Sequence, residues 1–518
     1  MRHTPKQVQL PAAQGVGPWL DHLGRPLTQP LLPSLEVRAD DAVLAALDEA
    51  MRFADGSRIA AEIIDWHARG RRTDVLAGAL AAWVANRPGG MLDPAWLALA
   101  DALRAASDFD PALAALPWLV AATVAAERLG GRSVLTPATA AGDGTAAELA
   151  AHVAARRGAA AESSVAAAIA AGRPLAEIEH DLLTLAAANP GDGGVTVLAV
   201  TRLADLRAAA GEAAVAAILP RFARALAERP EHLAYTRHHA ARIAAVAGRF
   251  AAMTAAENPE KGKAFAEPKF RPHVLDGKGD APYRASVKAL EFGVPHDVLA
   301  QSLSLAASER LLRFDPRWQN DESVVEDRAD AMQLLILTSA VRRLRADLTA
   351  EQWLPLYLFA VGLVHASAAL DAPERDRLAL PDPAQLHQTW DHGPEIAKIV
   401  AAMHKHDGER AIAVLRAYFL LALPEQPLCA QLLEAALSDV APQAIDAARA
   451  IVLMTAAVDE FQALAAHPHR ETPLCAALRA LSAEPTGRRT ATLGSSAIAA
   501  RTGALAPRHL VESGPTLA

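Results

Sequence analysis

The stretch 70–83, GRRTDVLAGALAAW, indicates the fold class, because it joins a glycine, a short turn and an apolar helix within one segment. The same order returns as GRPLAEIEHDLLTLAA at 172–187 and as GVPHDVLAQSLSLAA at 293–307. Each glycine follows a helical pattern, and glycine is the usual residue for ending a helix in the left-handed conformation. The chain is therefore predicted to be all-α and to be built from helical hairpins.

The spacing of these copies predicts how the hairpins are organised. The copies lie roughly 100 to 120 residues apart, which is longer than the usual solenoid repeat. Leucine–proline steps at Pro117, Pro220 and Pro355 recur downstream, where proline fits the first turn of a helix. A more divergent fourth hairpin is predicted around Gly408. We expect a duplicated multi-helix domain, either a bundle or a short α-solenoid.

Composition agrees with this fold and divides the chain into segments. Hydrophobic residues make up 52% of the chain and aromatics only 4%, so much of the apolar content is alanine, which has the best helix propensity. Lysine, proline and glycine interrupt the alanine-rich pattern near the middle. The predicted segments are a Pro-rich N-terminal segment at 1–35, a first helical half at 36–257, a linker or loop at 258–282, a second helical half at 283–483 and a poorly ordered tail at 484–518.

Several functional classes are disfavoured by the sequence. The formal net charge of -8 and the absence of a dense basic stretch argue against nucleic acid as a partner. Cys429 and Cys475 lie far apart, which argues against disulfides and against an iron–sulfur cluster in this chain. Nucleotide-binding fingerprints are missing. No strongly apolar run of membrane length and no signal-peptide core is seen, so we expect a cytoplasmic protein without a membrane partner.

Histidines concentrate in HQTWDHGPEIAKIVAAMHKHDGE at 387–409, preceded by His365 on an apolar helical segment. Imidazole and carboxylate groups suit iron, zinc or manganese, and a site with an open position could activate water or dioxygen. His365, His392 and His404 are the candidate ligands, although His392 and His404 should stand at opposite ends of one helix. The alternatives are a core histidine with a polar partner and a surface histidine that offsets the helix dipole.

A second histidine cluster occurs in HLAYTRHHAARIAAVAG at 232–248. His232, Tyr235 and His239 recur at helical spacing and should share one helix face. Such a face could bind a metal ion, or it could be a polar face or an interface. Both interpretations stay open at this point.

The order of elements in residues 180–227 resembles the helical domain of bacterial proteins that carry a fused Rieske ferredoxin, and residues 299–315 add a second local similarity. That domain is similar to questin-oxidase-like proteins. The resemblance implies a non-haem oxygenase whose iron is held by histidines and a modified lysine. The paired cysteine and histidine ligands of the Rieske cluster itself are missing from this chain.

This chain departs from the family at the first copy of the implied site. Val195 and Arg202 stand where the family has a histidine and a lysine, and neither side chain can replace those ligands. The resemblance then points to the second half, where Lys398 would be the carboxylated ligand beside His392 and His404. Iron is the expected metal under this interpretation.

Three functions therefore remain open. The first is an oxygenase-like enzyme that acts on a small-molecule substrate with a non-haem transition metal, His365, His392, Lys398 and His404 being the candidate ligands. The second is a non-catalytic relative that serves as an accessory protein and binds a partner enzyme. The third is a helical-repeat scaffold unrelated to any enzyme.

Overall fold

The computed structural model describes residues 39–106, 115–229, 233–320, 328–374, 379–382, 390–438 and 444–483. Of the described residues, 77% lie in helices and none lies in a β-strand. Phe314 and Asp371 form an isolated β-bridge. The predicted all-α fold class is confirmed. The predicted segments 1–35 and 484–518 lie outside the described residues.

The helices are numbered here in chain order. The first eleven are α1 Asp40–Arg52, α2 Gly56–Ala68, α3 Thr73–Ala85, α4 Pro94–Ala105, α5 Leu116–Leu129, α6 Ala146–Ala154, α7 Gly158–Ala170, α8 Leu175–Ala188, α9 Val195–Glu228, α10 Leu233–Ala244 and α11 Phe250–Ala255. The others are α12 Pro259–Lys263, α13 Glu267–Asp276, α14 Ala281–Phe292, α15 His296–Leu312, α16 Arg328–Arg343, α17 Ala350–Ala366, α18 His392–His404, α19 Gly408–Leu420, α20 Glu425–Ser438, α21 Ala444–Ala463 and α22 Thr472–Leu481.

The described residues form two compact units. The first unit comprises those within 1–137, 204–218 and 436–451, and the second comprises those within 138–203, 219–435 and 452–518. These units cut across the predicted halves, 36–257 and 283–483, because residues 138–203 belong to the second unit and residues 436–451 belong to the first. Helix α9 contributes to both units. Helix α9 is interrupted at Gly211, whose φ of 80° is not helical. A hydrophobic pattern along the chain does not show which distant segments belong to the same compact unit.

The segment 258–282, for which the sequence predicts a linker or loop, contains α12, α13 and the start of α14. Phe270, Val274 and Leu275 of α13 are buried, so this helix is packed into its unit in spite of Pro272. Burial of these apolar side chains offsets the local cost of proline in a helix.

The leucine–proline steps, predicted to lie in the first turns of helices, differ in position. Pro117 lies in the first turn of α5, whereas Pro220 and Pro355 lie inside α9 and α17.

Four sets of three consecutive helices share one turn geometry, and each set is called a triplet below. The triplets are α1–α3, α6–α8, α13–α15 and α18–α20. In each one, a residue with positive φ stands two positions before the second helix, and another stands three positions before the third helix. In chain order these pairs are Ala54 and Gly70, Arg156 and Gly172, Gly279 and Gly293, and His406 and Ala422.

The glycines singled out in the sequence therefore occupy equivalent left-handed turns. Gly70, Gly172 and Gly293 have φ of 59°, 77° and 90°. Their counterpart in the last triplet is Ala422, at 51°, rather than Gly408, which begins a helix. The first two helices of every triplet pack against each other.

Three of the triplets also bury matching positions. Their two left-handed residues are 16 positions apart in each case, at 54 and 70, 156 and 172, and 406 and 422. Aligned on the start of the second helix, eight positions are at most 3% exposed in all three copies. They are Leu47, Leu149 and Ile399; Ile59, Ala161 and Ala411; Ala60, Glu162 and Ile412; Ile63, Val165 and Leu415; Trp66, Ala168 and Tyr418; Leu76, Ile178 and Leu428; Leu80, Leu182 and Leu432; and Val84, Ala186 and Ala436.

Helix α17 is deeply buried. Trp353, Leu354 and Tyr357 on it are fully buried. The segment Ala350–Leu370 is long and apolar enough to cross a membrane by length and composition, and 83% of its apolar window is buried inside the structure. A core helix satisfies the same test, because burial against other helices also selects apolar side chains.

Candidate functional site

Helix α18 keeps His392 and His404 apart. The two histidines are the first and last residues of this helix, so its rise separates them by about 18 Å. His392 is exposed and His404 is half-buried, with its Nε2 buried and without a hydrogen-bond partner. Metal–nitrogen bonds are near 2 Å. These two imidazoles therefore cannot bind the same metal ion.

Lys398 lies on the same helix and forms an ion pair. Its Nζ donates to Oε1 of Glu395 at 2.6 Å, and Glu395 is 1% exposed. A lysine that is carboxylated to bind metal needs a neutral amine free to react, whereas this amine lies against a buried carboxylate. The contact favours a structural role for Lys398.

His365, near the end of α17, forms a hydrogen bond with a backbone carbonyl group. Its Nδ1 lies 3.2 Å from the carbonyl oxygen of Val274, so the proton belongs on Nδ1 and Nε2 is the nitrogen left for a ligand. Burial lowers the pKa of His365; the bond to Val274 opposes this shift, and the positive charges of Arg310 and Arg242 add to it. His365 is thus a neutral imidazole in a largely apolar setting.

One turn before His365, Gly362 makes room for a buried pair of polar side chains. His239 on α10 and Tyr283 on α14 share a hydrogen bond through Nδ1 and the hydroxyl. Both lie so close to Gly362 that a β-carbon there would overlap them. The edge of the His239 ring also meets Phe359, with ring centroids 5.7 Å apart. Gly362 is required by this close approach.

Arg242 and Asp280 complete this cluster at its solvent side. Arg242 Nε lies 2.8 Å from Asp280 Oδ1, and the guanidinium lies 5.1 Å from the centre of the Tyr283 ring. Burial raises the pKa of Tyr283 to about 12, although Arg242 opposes the shift. The phenol is therefore protonated at neutral pH and can act as a hydrogen-bond donor.

A second buried imidazole, His296 at the start of α15, lies against the other end of α17. It is 0% exposed and stacks on Trp353, which in turn stacks on Tyr357, with ring centroids 5.2 and 4.9 Å apart. Its Nδ1 lies 3.5 Å from Glu257, and neither ring nitrogen has a hydrogen-bond partner. Burial lowers the pKa of His296, against the raising effect of Glu257.

The structure thus gathers residues that the sequence did not place together. The predicted clusters contained His239 and His365, while Tyr283, His296 and Gly362 were missed. His232 lies outside the described residues. A glycine inside an apolar helix was the available signal at Gly362, since it marks a close approach. Among the described residues, no three His, Cys, Asp or Glu side chains are grouped to hold a metal ion.

The predicted ligands His365, His392, Lys398 and His404 therefore do not fit one metal ion. His392 and His404 occupy opposite ends of a helix, and the amine of Lys398 is paired with Glu395. His365 keeps Nε2 for a ligand, but none of the other three predicted ligands is shown to meet it. Comparisons of the chain with protein-family models, with curated proteins and with solved structures gave no match.

Proposed function

We propose that this chain is a non-catalytic helical-repeat protein, an accessory or scaffold protein that binds a partner protein. The observation that carries this proposal is the recurrence of the triplet. Three copies agree both in the spacing of their left-handed turns and in eight buried positions. Repeated helical units of this kind typically build extended binding surfaces.

The placement of the histidines supports the same proposal. In the predicted ligand set, the imidazole of His392 is exposed, and the length of α18 separates it from His404. An active metal centre needs three or more donors converging on one point. A scaffold has no such requirement, and its histidines serve packing and surface roles.

A second candidate is the oxygenase-like enzyme, with iron as the expected metal. The cluster at the end of α17 favours it, because His239 and Tyr283 lie against Gly362, one turn before His365, and Arg242 lies beside Tyr283. A buried imidazole and a neutral phenol are groups that enzymes use to hold and move protons. This candidate would place the active site at α17 rather than α18.

Metal analysis separates the two candidates. The full chain is purified without added metal, and the transition metals per chain are measured by mass spectrometry for the natural sequence and for His365→Ala. The scaffold proposal expects far less than one metal per chain in both proteins and the same melting temperature with and without a chelator. About one metal per chain that is lost in His365→Ala would overturn it in favour of the enzyme.

A further inference from the structure

The first unit contains a groove of about 280 Å³ between α1 and α3. Its walls are largely apolar and include Leu44, Leu47, Leu80 and Trp83. Val134, which also lines the groove, is 58% exposed, and Phe53, next in the chain to the lining residue Arg52, is 77% exposed. Exposed apolar side chains at the edge of an apolar groove are a common feature of binding sites.

Arg87 lines this groove although it is only 3% exposed. Its Nη1 donates to the carbonyl oxygen of Trp83 at 2.7 Å, and its guanidinium lies 3.4 Å from the centre of the Trp83 ring. Its Nε is buried without a hydrogen-bond partner. Burial lowers the pKa of Arg87, and nearby Asp48 only partly opposes this. A buried guanidinium with an unused donor favours a negatively charged ligand.

Asp48, the acidic residue that lines the groove, already interacts with two other side chains. Asp48 accepts a hydrogen bond from Trp83 Nε1 at 3.0 Å and is paired with Arg52. Its distance to Arg87 Nη2 is 3.7 Å, which is too long for a hydrogen bond. Two guanidinium groups therefore face one carboxylate, and the groove carries a net positive charge between apolar walls.

We propose that this groove is a binding site for a small amphiphile with one negative charge, such as a medium-chain carboxylate. The carboxylate would accept from Arg87, and the alkyl chain would lie on Leu44, Leu47 and Leu80. A dry cavity of about 150 Å³ holds a benzene molecule, so a groove of this volume suits a ligand of about ten non-hydrogen atoms. Octanoate has this size. The site is independent of the scaffold role, since an enzyme could carry it as well.

Calorimetric titration of the full chain with octanoate, 1-octanol and octylamine tests the proposal. One charge-assisted hydrogen bond is expected to make octanoate bind roughly ten- to a hundred-fold more tightly than the neutral alcohol. Octylamine, which carries the opposite charge, should bind most weakly. Equal affinity for the three ligands, or no octanoate binding, would overturn the proposal.

Two variants locate the site. Ala82→Phe fills the groove from α3, where Ala82 is a half-buried lining residue, and should abolish binding; Ala45→Phe on the exposed side of α1 is the matched control and should bind normally. Arg87→Met should lose the preference for octanoate while still binding 1-octanol, which also shows that the groove is intact. Natural affinity in Ala82→Phe, or an unchanged preference in Arg87→Met, would place binding elsewhere and refute the assignment.

Discussion

The triplets α6–α8 and α18–α20 turn the chain in the same way with different residues. Arg156 and Gly172 hold the left-handed positions in one, and His406 and Ala422 hold them in the other. Both triplets begin their second helix with glycine, because Gly158 lies against Glu228 and Gly408 lies against Arg479 and Ser482. Arginine, histidine and alanine adopt the same left-handed backbone as Gly172, so packing of the helices imposes the turn. Glycine at a left-handed position only lowers the conformational cost.

The largest expected effect comes from the matched core positions. Leu182 and Leu432 are both 0% exposed at the same position of their triplets. Leu182→Ala and Leu432→Ala should each lower the free energy of unfolding by about 3 kcal/mol, because each leaves a cavity. Chemical denaturation measures this effect. Leu420→Ala, at a residue that is 69% exposed, is the control and should change stability by less than about 0.5 kcal/mol. A small cost for only one of the two buried variants would break the equivalence.

Gly172→Ala tests the backbone of the turn between α7 and α8. A β-carbon there meets no atom within 4 Å, and φ is +77°, so the cost is conformational alone. We expect a loss of about 1 to 2 kcal/mol in the free energy of unfolding. Gly248→Ala is the matched control, because its β-carbon also meets nothing within 4 Å but its φ is not positive. Equal effects in the two variants would mean that the left-handed turn at Gly172 is not strained by a side chain.

His296 is expected to make the stability of the triplet α13–α15 depend on pH. Its pKa is lowered by burial from the ordinary value of 6.5, so the unfolded chain takes up a proton on this residue at a higher pH than the folded chain. Stability from His296 is therefore present above pH 6.5 and is lost as the pH falls through this value. His67, His365 and His467 act in the same direction.

The measurement is the free energy of unfolding between about pH 7.5 and pH 5.5. His296→Gln should reduce the slope by up to about 1.4 kcal/mol per pH unit. His392→Gln, at an exposed residue, is the control. An unchanged slope in His296→Gln would contradict the buried, neutral imidazole.

The all-α fold and three left-handed turns could be predicted because alanine-rich helical periodicity and glycine after a helix are local signals. The same turn at His406 and Ala422 could not, since packing rather than residue type imposes it. The candidate site was harder to predict. The density of histidine around α18 suggested a metal centre, but a helix separates residues that are close in sequence. The pair of His239 and Tyr283 depends on Gly362, and only the packing of α10 and α14 on α17 brings them together.

The effect of Ala422→Gly on stability tests the repeated triplet most directly. Ala422 is exposed, with φ of +51°, so the substitution removes backbone strain without loss of packing. If Ala422 occupies the same turn as Gly172, the free energy of unfolding should rise by about 0.5 to 1 kcal/mol. A fall of about 1 kcal/mol, the usual cost of glycine in ordinary helical backbone, would contradict the shared turn and the repeat proposed from it.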